Sequence, residues 1–183
     1  MINRVKLLKF ILVVLPLIAI IFPLWTLNVH PAFMGKKWIK IDVVGYGVVE
    51  GPIDSLNIAN HYVGLRDVKP EEMIELKVLP IIYPLSALFM YMYLFMDERR
   101  SKIGKYLMFV VVVGIVLYFQ YWLYRFGHSM DPELARIEIE PFTPYVVGYY
   151  KIANFEIFAY FNIGFFLLLI PLIVGIYIKR RYG

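Results

Sequence analysis

The chain has 183 residues, no cysteine, a hydrophobic share of 61% and a formal net charge of +5. The absence of cysteine excludes disulfides, thiolate metal sites and cysteine nucleophiles, and the positive mean hydropathy excludes an ordinary soluble domain. The basic excess is not a nucleic-acid signature, because it sits in short segments beside apolar runs, where membrane topology and anionic headgroups account for it.

Four apolar stretches divide the chain, at roughly 10–27, 78–96, 106–124 and 155–178. Each has about the 17–25 residues that an α-helix needs to cross a bilayer. The pattern predicts a membrane protein, mainly α, with four transmembrane helices in one domain covering 1–183 and a small extracytoplasmic mixed α/β cap. Arg4, Lys6, Lys9, Arg99, Arg100, Lys102, Lys105, Lys179, Arg180 and Arg181 fall on one side, against only Asp97 and Glu98. Loops 28–77 and 125–154 fall on the other and carry nine Lys/Arg, eleven Asp/Glu and all three histidines. Lys/Arg enrichment in short loops marks the cytoplasmic face, so both termini are expected inside and both large loops outside.

The first stretch follows three basic residues, as a signal peptide does. Its apolar run exceeds the usual ~7–15 residues and no small-x-small site follows Trp25, so it reads as a retained anchor, bent at Pro16 and Pro23. Trp25, Trp38 and Trp122 are expected near the outer interface, where amphipathic rings belong. Partial alternation over 36–49, interrupted at Gly45 and Gly47 and closed by Gly51-Pro52, predicts a small hairpin. Asn60, His61, Tyr62 and Arg66 then concentrate hydrogen-bonding side chains within a few residues. Pro70-Glu71-Glu72 resembles a helix first turn, proline being allowed there and acids favoured, with the helix running on into the second stretch and bending at Pro80 and Pro84. The short segment 97–105 makes stretches two and three antiparallel neighbours. Beyond Arg125, alternation over 137–140 predicts an extended segment pairing with the first-loop strands. Gln120, Glu156 and Asn162 are the polar residues inside or at the edges of the stretches.

His30, Met34, His61, His128 and Met130 all lie on the outer side. Imidazole and thioether donors suit copper, Cu(I) in particular, so these five are the candidate metal ligands, set against packing and hydrogen bonding at headgroup level. The sharpest arrangement is a site shared by His61 and His128. There is no nucleophile elbow, phosphate loop or His-Glu-x-x-His helix, and the acids Asp67, Glu71, Glu72 and Glu75 read as a solvated face, so no catalytic residue is assigned.

Two of these segments carry a resemblance. Leu56-Asn57-Ile58-Ala59-Asn60-His61-Tyr62-Val63-Gly64-Leu65, with Glu75-Leu76 and Pro80 downstream, resembles the Leu-Asn-His-Tyr-Ile-Gly-Met segment of a family of small membrane proteins encoded in gene clusters for nitrous oxide reductase. Gly127-His128-Ser129-Met130-Asp131-Pro132, followed by Pro141-Phe142-Thr143-Pro144, resembles that family's Gly-His-x-Leu-Asp-Pro segment and its proline-rich continuation. Pro23-Leu24-Trp25 also fits. Leu65 stands where the family has methionine, Met130 where leucine is usual, and His30 has no counterpart. The resemblance implies a setting in which copper reaches a reductase outside the cytoplasm. The expected function is therefore an integral membrane accessory protein that handles copper or assists metallocentre assembly, with membrane lipid and copper-enzyme assembly proteins as partners. The alternative is a non-catalytic structural subunit of a membrane respiratory or oxygenase complex.

Overall fold

The first apolar stretch is half helix and half strand. In the computed structural model, which describes residues 4–131, 133, 135–137 and 139–182, helix α1 (Arg4–Ala19) ends in a turn closed by Phe22 N to Ala19 O at 3.1 Å. Strand β1 (Pro23–Pro31) follows at once. Pro23 cannot donate a helical hydrogen bond, and beyond it Trp25, Leu27 and Val29 alternate with Thr26, Asn28 and His30, the two-residue period of a strand. The last stretch divides in the same way. Phe155, Ile157 and Ala159 alternate with Glu156, Phe158 and Tyr160 through strand β5 (Phe155–Phe161), and helix α5 (Ile163–Tyr182) begins only after Asn162. Asn162 supports that start, its Oδ1 accepting from Ile163 N at 2.7 Å, as a short polar side chain does at a helix entrance.

The remaining elements are β2 (Ile39–Val44), β3 (Val48–Glu50), α2 (Ile53–Tyr62), α3 (Ile74–Phe95), α4 (Glu98–His128) and β4 (Gly148–Ile152). The expectation of a mainly α protein with four spanning helices is thereby corrected. Among the described residues, three helices, α3, α4 and α5, are long and apolar enough to cross a membrane. An antiparallel sheet in the order β3-β2-β1-β5-β4 takes up residues that hydropathy alone had assigned to spans one and four. Helix α1, at about 24 Å by its rise per residue, is shorter than a ~30 Å hydrocarbon core and packs against α3 and α5.

The hairpin expected over 36–49 is present as β2 and β3. Its turn, 45–47, ends at Gly47 with φ +86°, the left-handed position that a three-residue hairpin loop gives to glycine. A Cβ there would lie 2.1 Å from Leu76 O, the carbonyl that Pro80 deprives of its helical donor. The hairpin thus sits on the bent start of α3. Other expectations shift. Segment 55–69 begins inside a helix, α2. Pro70–Glu72 is an isolated 3-10 turn, separated from α3 by extended Met73. Helix α4 continues to His128, so Arg125 and His128 belong to its last turn. No strand forms among the described residues of 137–140; Glu138, like Pro132 of the second resembling stretch, lies outside the described residues.

The helices make one apolar core around Tyr83, Met90, Met108 and Leu168, each fully buried. Helices α3 and α4 meet closely because Gly104 faces Phe89, where a Cβ would stand 2.6 Å from the Phe89 carbonyl oxygen, and Ser101 Oγ donates to Tyr93 O at 2.6 Å. Small residues let helix backbones approach in this way. The sheet caps one end of the bundle; the α1 start, the α3–α4 turn and the α5 end form the other, where the basic residues gather. One sheet face carries Trp25, Leu27, Val29, Ile41, Phe155 and Ile157; the opposite face carries Asn28, His30, Lys40, Asp42, Glu156 and Lys151.

Gly104→Val should destabilise the protein by about 1–3 kcal/mol, the usual penalty of overpacking. Gly114→Ala, on the same helix but with nothing within 4 Å of the added Cβ, should leave the unfolding midpoint unchanged or raise it. Thermal unfolding of both variants in detergent checks the contrast.

Candidate functional site

The first of the two singled-out segments is built around the end of α2. Gly64, at φ +75°, reverses the chain; Leu65 N donates to Asn60 O at 2.9 Å and Gly64 N to His61 O at 3.2 Å. This pair of bonds is the Schellman closure, which calls for glycine after the helix. The chain then runs back along α2 and is clipped to it. Asn57 pairs with both backbone groups of Val68, accepting from its N at 2.8 Å and donating to its O at 3.2 Å. Asn60 Nδ2 donates to Arg66 O at 3.4 Å, and His61 Nε2 lies 2.8 Å from Asp67 Oδ1.

The second segment docks on the first. Leu65 and Met130 form an antiparallel bridge, Asp131 N donates to Gly64 O at 2.8 Å, and Tyr62 O accepts from Arg136 N and Ile137 N, both at 3.1 Å. Glycine is required at both closest approaches: a Cβ on Gly64 would stand 2.9 Å from Asp131 O, and one on Gly127 2.1 Å from Phe142 O. Further along, Gln120 donates to Pro144 O at 2.9 Å and accepts from Val146 N at 3.1 Å, while Trp25 Nε1 donates to Val146 O at 2.7 Å. Gln120 is therefore a backbone clip at the top of α4. Tyr62, Gly64, Leu65, Met130 and Asp131, all within the resembling segments, join the two outer loops, and this contact replaces the strand pairing expected of 137–140.

The candidate metal ligands fall in separate surroundings. His30, on β1, stacks on Trp38 at 5.0 Å, donates from Nε2 to Gly35 O at 2.6 Å and turns Nδ1 toward Glu156 Oε2 at 3.6 Å. Only Nε2 makes a hydrogen bond. His128 donates from Nδ1 to Tyr124 O at 2.8 Å, which leaves Nε2 as its open position. His61 keeps Nδ1 open while Asp67 holds Nε2. Met34 and Met130 pack into the apolar cluster between α2 and the sheet, alongside Leu56, Val63 and Phe155. No group of three or more His, Asp or Glu residues arranged to hold a metal occurs among the described residues, and no hydrogen bond or ring contact joins His61 to His128 there. The polar sheet face is an internally bonded ladder: Asn162 Nδ2 donates to Thr26 Oγ1 at 2.7 Å, Thr26 Oγ1 to Asp42 Oδ1 at 2.5 Å, and Lys40 Nζ pairs with Asp42 Oδ2 at 2.7 Å. The Asp42 hydrogen bond raises the Lys40 ammonium above its ordinary value.

Beneath the apolar sheet face lies a cavity of about 460 Å³, bounded by that face, α2, the start of α3 and α4 from Val110 to Phe126. Those α4 residues span about 24 Å along the helix. The lower part, along Val110, Gly114, Ile115 and Ile82, is aliphatic; the upper part mixes aliphatic residues of the sheet and α2, such as Leu27, Ile41 and Leu56, with the aromatic Trp25, Phe119, Trp122, Phe126, Phe142 and Tyr150. No Lys, Arg or His lines it, and Glu75 is its one charged residue, bonded by the Tyr118 hydroxyl at 2.5 Å. Interiors pack with few voids larger than a water molecule, whereas ligand sites occupy ~300–1,000 Å³ and are mostly apolar with a few placed polar groups. Its volume and lining fall in the range of ligand sites, and it is open on one side, where Ile74, Val78, Val110 and Tyr118 are exposed. The sequence does not reveal it, since its walls come from eight elements; the local signals are Gly114 interrupting a run of valines and Tyr150 in an alternating segment.

No protein-family model, curated protein or solved structure matches the chain.

Gly127→Ala should release 142–146 from α4, and Gly64→Ala should release 130–131 from α2, each raising proteolytic cleavage within 130–146 by about tenfold while the bundle persists, as expected when one local unit opens below the global unfolding energy. Limited proteolysis with mass mapping measures this. Thr26→Val should cost about 1–3 kcal/mol, because Asn162 and Asp42 would both lose a buried partner; chemical denaturation reads it.

Proposed function

We propose that the protein is a non-enzymatic integral membrane protein that holds an uncharged, membrane-derived molecule at the junction of its helices and its sheet, as an accessory protein or structural subunit of a membrane assembly. The cavity carries this reading. It is apolar, it lies along helices long enough to span a bilayer, and it offers no cation to an anionic headgroup. Organic extraction of protein purified in mild detergent should yield one apolar compound in near-stoichiometric amount, identified by mass spectrometry. Gly114→Phe, which fills the aliphatic part, should lose it. Wild-type protein that carries no such compound, and a variant with unchanged lipid content, would refute the reading.

The orientation that fits is cytoplasmic for the basic end and extracytoplasmic for the sheet and the paired loops, supported by the distribution of Lys and Arg. The chain lacks cysteine, so single introduced cysteines report without background. Lys37→Cys and Arg66→Cys, both at exposed positions, should react with a membrane-impermeant thiol reagent in intact cells, and Arg99→Cys should not.

Copper handling is the second reading. It is supported by the resemblance to proteins encoded with nitrous oxide reductase and by the open positions of His61 and His128, each ring being held by an acceptor on its other nitrogen, as metal-binding imidazoles usually are. Leu65 and Met130, the positions at which the chain departs from the resembling segments, are partners in one bridge, so the exchange keeps one leucine and one methionine in the same volume. His30 lies on β1 and stacks on Trp38, and Met34 and Met130 pack in the apolar cluster, so this reading rests on His61 and His128. His61→Ala or His128→Ala should abolish retention of Cu(I) by the purified protein; retention that survives both changes leaves these histidines as fasteners of the cap.

A further inference from the structure

The lining of the cavity narrows its occupant further. Resting on the reading that the cavity holds an uncharged membrane molecule, we infer that this molecule is an isoprenoid quinone, its tail along α3 and α4 and its ring among the aromatic residues beneath the sheet, with the Tyr150 hydroxyl donating to a ring carbonyl.

Three observations carry this. The aromatic side chains of the lining lie toward the sheet end, among aliphatic ones, and none lies beside Val110, Gly114 and Ile82; the latter part suits a branched hydrocarbon tail and the former admits a flat ring, since aromatic rings attract one another in offset or edgewise stacks. Trp122 already stacks on Phe126 at 5.3 Å, and Trp25 meets Phe119 at 5.5 Å. Secondly, the lining has no cation to receive an anionic headgroup. A phospholipid phosphate or a fatty-acid carboxylate buried here would meet Glu75 and no cation, and an unpaired buried charge is strongly unfavourable. A quinone carries only carbonyl acceptors. Thirdly, the site has polar atoms left over. Tyr150 lines the cavity and its hydroxyl has no hydrogen-bond partner among the described residues; its ring contact is with Tyr145 at 5.5 Å. Burial raises the Tyr150 phenol above its ordinary value, so it remains a donor across the physiological range. Asn60, 6% exposed, also lines the cavity; its Nδ2 is used by Arg66 O and its Oδ1 accepts no bond among the described residues. Tyr150 is half-buried, and neither its hydroxyl nor the Asn60 amide oxygen is sealed within the protein, so the one is open to a ring carbonyl and the other to a hydroxyl of the reduced ring. Tyr118, by contrast, is already committed to Glu75.

The cavity contains its own reporters. Trp25 and Trp122 line it, whereas Trp38 stacks on His30 at the other face of the sheet. In the full chain carrying Trp38→Phe, reconstituted in nanodiscs, menaquinone-4 should quench tryptophan fluorescence saturably. Tyr150→Phe should weaken binding by about five- to tenfold, the usual effect of losing one hydrogen bond, and Gly114→Phe should remove the saturable phase, while Gly114→Ala should leave it intact. Phosphatidylcholine brominated on its acyl chains is the comparison probe. Saturable quenching by the brominated lipid alone would overturn the quinone assignment and leave the cavity as a lipid site. Saturable quenching by neither probe would overturn both. Quenching by menaquinone-4 that ignores Tyr150→Phe and Gly114→Phe would place the quinone elsewhere and overturn the site described.

Discussion

The backbone pairing of β1 with β5 is the constraint on which the rest of the structure depends. The register runs from Trp25 opposite Phe161 to Pro31 opposite Phe155. Each strand is joined directly to a helix of the bundle, β1 to the end of α1 and β5 through Asn162 to the start of α5. Fixing the register therefore fixes the sheet relative to the helices. At the junction Asn162 N donates to Leu24 O at 2.9 Å, and Gly164 lies so close to Pro23 that a Cβ would stand 2.7 Å from its carbonyl oxygen. Such a joint suits a sheet beside an apolar bundle. Strand backbone at the edge of a membrane must have its polar groups satisfied, and β1 achieves this by pairing on both sides, with β2 and with β5.

That joint also creates the cavity. The apolar sheet face looks toward α4, which extends past α3 and carries Tyr118, Phe119, Trp122 and Phe126 up beside the strands. Helix α2 and the returning segment after Gly64 close one side, and 142–146, clipped by Gln120 and Trp25, closes another. The two outer loops are in this sense walls of the cavity. The side chains that hold them are mostly polar and mostly bonded to backbone: Asn57 to Val68, Asn60 to Arg66, Gln120 to Pro144 and Val146. Each satisfies peptide groups that would otherwise face an apolar chamber unpaired. A copper function and a quinone function would share this scaffold without sharing atoms, since His61 and His128 are exposed at its outside while Tyr150 and Asn60 face within.

Sequence alone determined a good part of this protein. Four apolar stretches, the separation of basic from histidine-bearing segments, the hairpin over 36–49 and the concentration of hydrogen-bonding side chains at Asn60, His61 and Tyr62 can all be read from local pattern and side-chain chemistry, because each depends on neighbours close in the chain. The tertiary structure decided what local pattern leaves open. A hydropathy sum cannot distinguish a spanning helix from a helix followed by a strand buried on both faces, and Leu24, Trp25 and Thr26, all buried in succession, hid the alternation of β1. Nor can a chain-order reading reveal that Leu65 meets Met130, that Gln120 serves a loop beyond its own helix, or that Gly114, Asn60 and Tyr150, distant in sequence, line one chamber. Those relations come from long-range pairing, in which the partner rather than the residue sets the role.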